Sequence, residues 1–183
     1  MNERYVLFQH DIYEPQVRAL QTTLLMLVSQ GVEKITLVMS TNGGDVNHGI
    51  MLYNFLKALP VDLTTHNIGN VDSIGNTIFL SGSKRYANRN ATFMFHGVGR
   101  DVKAGVRFEI KNTKEMLGSF EASTRRISIT IAACTNLPLA DVEKLFVEQV
   151  TKDAEYAKQV GIIHEIVDLT IPKGMTVVQS PAS

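Results

Sequence analysis

Ser73, His96 and the Gly43-Gly44 pair are the residues of this chain whose types and order suit acyl transfer. A serine hydroxyl is a weak nucleophile until an imidazole accepts its proton, and the tetrahedral intermediate that follows needs N–H donors aimed at its oxyanion. Helix N-termini supply such donors. Gly44 lets a substrate come close to its N–H, and the N–H of Ile74 follows the serine at the start of a predicted helix, so these two are the candidate oxyanion hole. Each feature also has an ordinary reading: the glycine pair as a turn, Ser73 as a helix cap, His96 as a satisfied histidine at a strand end. The string Val71-Asp72-Ser73-Ile74-Gly75 has only the second glycine of the G-x-S-x-G elbow.

The elements that must position these residues alternate short apolar runs with amphipathic stretches, the pattern of β-α-β units with helices covering a largely parallel sheet. Tyr5–Phe8 reads as a strand. Pro15 suits a first helical turn, and Val17, Leu20, Leu24, Leu27 and Val28 share one helical face. The apolar run Ile35–Met39 breaks at Ser40-Thr41-Asn42-Gly43-Gly44-Asp45, where Asp45 can cap a helix carrying Ile50, Tyr53, Leu56 and Leu59 before Pro60 stops it. The unit then repeats, with Leu63–Ile68 as a strand, Gly69–Ser73 as a sharp turn and Ile74–Leu80 as a short buried helix. Lys84–Ala87 and Thr92–His96 read as further strands, the second ending on the histidine. Gly97, Gly99 and Gly105 mark an adaptable loop.

From Phe108 to Ala133 there is no proline and one glycine, and Met116, Phe120, Ile127 and Ile131 fall near one stripe. At 1.5 Å per residue such a helix reaches about 38 Å, against a radius of gyration of about 16 Å for a chain of this length. It is expected to project and meet a partner. Leu139–Val147 and Ala154–Val160 read as short helices, Ile166-Val167 as a last strand, and the tail from about 170 to 183 as irregular. One domain over 1–183 is expected, with the loop and long helix, about 97–135, forming its projecting part.

Composition narrows the function classes. The chain has 183 residues, 44% of them hydrophobic, enough to bury roughly 70% of its extended surface without disulfides or a structural metal. Eighteen basic residues balance 18 acidic ones, so no global field draws it to nucleic acid or an anionic membrane. Cys134 is the one cysteine, which suits a reducing, cytoplasmic setting. The start MNERYVLFQHDIYEPQ lacks the apolar core and cleavage site of a secretory signal, and no window holds the roughly 20 apolar residues that cross a bilayer. His10, His48, His66 and His164 lack metal-ligand spacing, so neither a metal nor another cofactor is expected.

Ser40-Thr41-Asn42-Gly43-Gly44-Asp45-Val46-Asn47-His48-Gly49-Ile50-Met51-Leu52-Tyr53 resembles the NSPGG-x-V-x-x-G-x-x-x-Y stretch of the Clp protease proteolytic subunit. Gly69-Asn70-Val71-Asp72-Ser73-Ile74-Gly75 is similar to that family's G-x-A-A-S-M-G segment, with the 29-residue step from Gly44 to Ser73 in register. Phe93-Met94-Phe95-His96 resembles its V-M-I-H, and Ala154-Glu155-Tyr156-Ala157-Lys158-Gln159-Val160-Gly161-Ile162-Ile163 its A-x-E-A-x-E-Y-G-L-I. The resemblance covers about Tyr5 to Asp168.

This likeness implies the α/β fold that the Clp proteolytic subunit shares with crotonases, repeated β-α-β units with a projecting handle helix. It implies a serine peptidase acting on peptides or unfolded proteins within a homo-oligomeric chamber of two stacked seven-membered rings. Ser73 would be the nucleophile, His96 the general base, Gly44 and Ile74 the oxyanion donors, and Gly97, Val98 and Gly99 the edge that pairs with an extended substrate. Twelve residues before Gly161, where the family keeps its catalytic aspartate, stands Gln149. Asp72 replaces a small alanine and Asn42 a proline. A Clp-type ATPase is a further partner implied, although the chain begins almost at its first strand and the family's N-terminal docking segment is expected to be missing. Two alternatives remain: a non-catalytic or weakly active ring subunit of the same fold, and a crotonase-like acyl-CoA hydratase or isomerase.

Overall fold

The computed structural model describes residues 2–99, 102, 105, 107 and 109–181. Strand β1 (Glu3–Phe8) is followed by α1 (Glu14–Ser29), which starts with Pro15 in its first turn and buries Val17, Leu20, Leu24 and Leu27, the face its spacing predicts. Strand β2 (Lys34–Thr41) pairs parallel with β1, and α2 (Val46–Ala58) begins at Asp45, whose carboxylate accepts the His48 N–H at 2.9 Å. On α2 the buried stripe is Gly49, Leu52 and Leu56, while Tyr53 is half-buried with its hydroxyl against Cys134 Sγ at 3.5 Å. One side of the Tyr53 phenol thus meets the core, and burial pushes its pKa up to about 12.

The turn expected over Gly69–Ser73 is corrected by β3 (Asp62–Asp72), which continues through Gly69, Asn70 and Val71, with its register against β2 shifting between Asn67 and Val71. The reason is a change of partner. The first half of β3 pairs with β4 (Lys84–Ala87), and its last three residues pair with β5 (Thr92–Met94), placing Asp72 opposite Met94. Backbone groups that a turn would have left open are satisfied by this second ladder. Only Ser73 and Ile74 remain to turn the chain into α3 (Gly75–Phe79), every residue of which is buried.

Beyond β5 lies α4 (Ile110–Cys134), in which only Ile127, Ser128 and Ile131 are buried. Phe108, the expected start of this helix, lies outside the described residues, as do Arg100, Asp101 and Lys103 of the preceding loop. Helix α5 (Leu139–Glu148) packs beside α4, and β6 (Thr151–Asp153), absent from the sequence reading, pairs antiparallel with β5. Then come α6 (Ala154–Gln159) and β7 (Glu165–Ile166), which pairs with β4. The tail is not wholly irregular: β8 (Val177–Gln179) adds to β1, using backbone that β1 would otherwise expose at the sheet edge. The main ladder runs β6-β5-β3-β2-β1-β8, with β4 and β7 extending from β3.

Arg85 ties together segments distant in sequence. Its guanidinium donates to the carbonyls of Ile162, Gly161, Cys134 and Gly82, at 2.8, 3.0, 3.2 and 3.4 Å. Among the described residues no helix is long and apolar enough to cross a membrane.

Candidate active site

The site begins with strain. Ser73 sits at φ +56°, a left-handed conformation that costs a residue with a Cβ about 1–2 kcal/mol. It is held there by its own N–H donating to Met94 O at 2.9 Å and by Asn76, whose Nδ2 donates to Ser73 O at 3.1 Å and Met94 O at 2.8 Å. A strand entering and a buried helix leaving at a left-handed serine make a corner that lifts Oγ out of the sheet, the local geometry of a nucleophile elbow without its first glycine.

The glycine pair is packed against this corner. At Gly43 a Cβ would lie 2.7 Å from Ser73 Cβ and 2.8 Å from Asp72 O, at a φ of +91°. At Gly44, with φ +151°, a Cβ would collide with Ile12 O. The close approach comes from a short parallel bridge, in which Ile12 N–H donates to Gly43 O and Asp45 N–H to Ile12 O, both at 2.8 Å. The Gly44 N–H falls between these bonds and, like that of Ile74, has no intramolecular acceptor among the described residues. Two free N–H groups flanking a serine are what an oxyanion hole requires. Ile74 itself is fully buried, and its Cγ1 lies where a Cβ on Gly49 would go.

His96 lies two residues past β5. Its neighbour Phe95 is fully buried, donates its N–H to Val150 O at 2.9 Å and stands edge-on to Phe146. The imidazole Nδ1 is 2.9 Å from Gly97 O. A carbonyl can only accept, so Nδ1 carries the proton and Nε2 presents a lone pair, the tautomer a general base for serine needs.

Ser73, His96, Gly43, Gly44, Gly97 and Gly99 line one cleft of about 560 Å³, together with Asp11, Tyr13 and Asn42. Gln149 is not in this lining. It ends α5 in a left-handed conformation, φ +52°, and faces a second, more apolar cavity with Val98, Leu117, Phe120 and Phe146. Gly97 borders both cavities, and the Phe95 N–H bond to Val150 O continues the β5–β6 ladder, so the next antiparallel register position sets Gln149 opposite His96. Among the described residues the hydrogen-bond partner of Nδ1 is the Gly97 carbonyl and not the Gln149 side chain. Asp72 is held by Asn70, whose Nδ2 donates to its Oδ2 at 2.7 Å and to Asn42 Oδ1 at 3.1 Å, while Asn42 donates to Asp11 Oδ1 at 3.1 Å. Asp11 and Tyr13 escaped the sequence reading because nothing local marks them; only the Ile12–Gly44 bridge carries them to the cleft.

The Clp protease family model matches residues 1–170. This chain belongs to the Clp protease family. Proteolytic subunit 2 of the ATP-dependent Clp protease from Corynebacterium efficiens is 26% identical over 180 residues, covering 92% of this chain and 84% of that protein. Proteolytic subunit 1 from Chlamydia felis is 27% identical over 181 residues, covering 91% of this chain and 82% of that protein. Among solved structures, a ClpP1 mutant from Listeria monocytogenes superposes with a TM-score of 0.79 at 23% identity, covering 90% of this chain and 91% of that one. The ClpP protease catalytic domain from Plasmodium falciparum gives 0.74 at 23% identity, covering 93% and 88%. The α/β fold expected from the sequence is the fold of these structures.

Proposed function

We propose that this chain is a Clp-type serine peptidase that hydrolyses peptide bonds of peptides or unfolded proteins, with Ser73 as nucleophile, His96 as general base and the N–H groups of Gly44 and Ile74 as oxyanion hole. The observation that carries this reading is the left-handed Ser73 corner, opening into one cleft with His96 and the Gly44 N–H. His96 Nε2 takes the Ser73 proton as Oγ attacks the scissile carbonyl. The oxyanion gains the two free N–H groups, and His96 returns the proton to the leaving amine. Water then repeats the sequence on the acyl-enzyme. Gly97 and Val98 are half-buried and Gly99 is exposed, and this stretch suits pairing with an extended peptide, which reads main chain more than side chain. Family membership favours this reading over acyl-CoA chemistry.

The proposed assembly is a homo-oligomeric ring enclosing a chamber, as the motif resemblance implies, and the relatives' names, proteolytic subunits of an ATP-dependent protease, support a Clp-type ATPase as partner. Ile110 and Leu117 on α4 are 78% and 55% exposed, an apolar face that a second copy would cover. A second reading, a weakly active or non-catalytic ring subunit, is favoured by the uncharged partner of His96 Nδ1.

Labelling with a serine-directed fluorophosphonate separates the two. Covalent labelling of Ser73, abolished in Ser73→Ala, supports the peptidase; an intact oligomer by light scattering with no labelling supports the non-catalytic subunit.

A further inference from the structure

Asp11 and Tyr13 line the serine cleft although no motif contains them. Ile12 between them is fully buried and bridged to Gly44, and because side chains alternate along extended chain, residues 11 and 13 are directed away from the core that holds Ile12. Asp11 is the one carboxylate among the described lining residues, and it has no ion-pair partner among the described residues. Asn42 donates to its Oδ1, which steers the carboxylate and leaves Oδ2 without a hydrogen bond among the described residues. Through Asn42 and Asn70 it is linked to Asp72, a second carboxylate with no ion pair among the described residues, next to the nucleophile. The third acid near the glycines, Asp45, already faces His48 Nδ1 at 3.0 Å.

Tyr13 is 54% exposed, and its ring makes no aromatic or cation contact among the described residues. The partial positive charge at the start of α1 is offset by Glu14 in the first turn. An anchored carboxylate beside an open aromatic face is chemistry that selects a cation, which gains from both. A substrate carboxylate would be repelled by Asp11, and an apolar side chain would strip water from it without compensation.

We propose that Asp11 and Tyr13 form a cation-selecting wall of the catalytic cleft, favouring peptides with a lysine or arginine side chain close to the scissile bond. The proposal rests on the cleft being a peptide site. The neighbouring cavity is more apolar, with Val98, Leu117, Phe120 and Phe146 in its lining, although Glu121 and the paired Arg125 and Glu143 also border it.

The test measures binding, so that it stands apart from turnover. Fluorescent heptapeptides, N-acetylated to remove the terminal ammonium, carry lysine or norleucine at each position in turn and are titrated by anisotropy against the full-length Ser73→Ala protein. At one position at least the lysine peptide should bind about fivefold or more tightly than its norleucine partner, the scale of an exposed ion pair combined with a ring contact. Adding Asp11→Asn, which keeps an acceptor for Asn42 and removes the charge, should bring the ratio to about one, and adding Tyr13→Leu should about halve it. No binding of either peptide, no lysine preference at any position, or a preference undiminished by Asp11→Asn overturns the proposal. If wild-type Ser73 resists fluorophosphonate while Ser73→Ala retains lysine-selective binding, the peptidase reading fails and the cation wall stands.

Discussion

Replacing Gly43 by alanine tests whether the glycine turn and the serine corner are packed as one unit. Two costs apply. The first is conformational: at φ +91° an alanine is strained by roughly 1–2 kcal/mol. The second is steric, since the new Cβ would stand 2.7 Å from Ser73 Cβ and 2.8 Å from Asp72 O, neither of which is the free end of a flexible side chain. Overpacking of this kind costs about 1–3 kcal/mol, so Gly43→Ala should destabilise by roughly 2–5 kcal/mol. Gly31→Ala isolates the first cost, because Gly31 has φ +75° and nothing within 4 Å of its would-be Cβ. Urea unfolding of the two variants should therefore differ by about 1–3 kcal/mol at equal m-values. The excess must be relieved by moving Ser73, so fluorophosphonate labelling of folded Gly43→Ala should fall at least tenfold, about 1.4 kcal/mol of barrier, while Gly31→Ala labels normally. Equal destabilisation of the two variants, with labelling unchanged in both, would refute the packing of the turn on the nucleophile.

Gln149→Asp should raise the Ser73 labelling rate at least tenfold, about 1.4 kcal/mol, because aspartate tolerates the left-handed backbone there and brings a charge toward the imidazolium. No gain would leave the Gly97 carbonyl as the partner of His96. Arg85→Lys should lower unfolding stability by about 2–4 kcal/mol, since one ammonium cannot reach four carbonyls from three chain segments; a loss below 0.5 kcal/mol by urea titration would argue against that anchoring role. Burial holds His66 below its ordinary pKa of 6.5, outweighing the hydrogen bond that its Nε2 donates to Asn88 Oδ1, and His164 shifts in the same direction. The folded state then binds fewer protons than the unfolded one, so this stability is complete above pH 6.5 and is lost as pH falls through the folded values. Thermal midpoints should drop on acidification from neutral pH, with a shallower slope in His66→Gln, and an unchanged slope would contradict the assignment.

Much of the frame was legible because it is written in short-range pattern. The apolar stripe of α1, the Asp45 cap of α2 and the β-branched run of β2 each depend on neighbours within a few residues, and each stands where the spacing puts it. The Gly69–Ser73 stretch misled for the same reason. Glycine and asparagine are good turn formers, but Asn70, Val71 and Asp72 pair with Thr92, Phe93 and Met94, and that ladder outweighs local preference. The strand at Val177–Gln179 was equally invisible, since among the described residues it pairs with β1, at the other end of the chain, and with no other strand.

Residue type and spacing alone supplied the chemistry available: a serine before a helix, a histidine at a strand end, a glycine pair opening a helix, and a glutamine at the expected third position. Those are properties of residue type and spacing, and they survive without coordinates. Only the tertiary structure decided which of them share a cleft. It set Ser73 at a positive φ, turned His96 Nδ1 to its own neighbour's carbonyl and gave Gln149 a left-handed backbone at the edge of a second cavity. It also brought Asp11 to Asn42 across 31 positions. The physical reason is register: parallel pairing joins segments separated by whole β-α units, so the identity of a neighbour across the sheet depends on every intervening element and on none of the residues beside it in sequence.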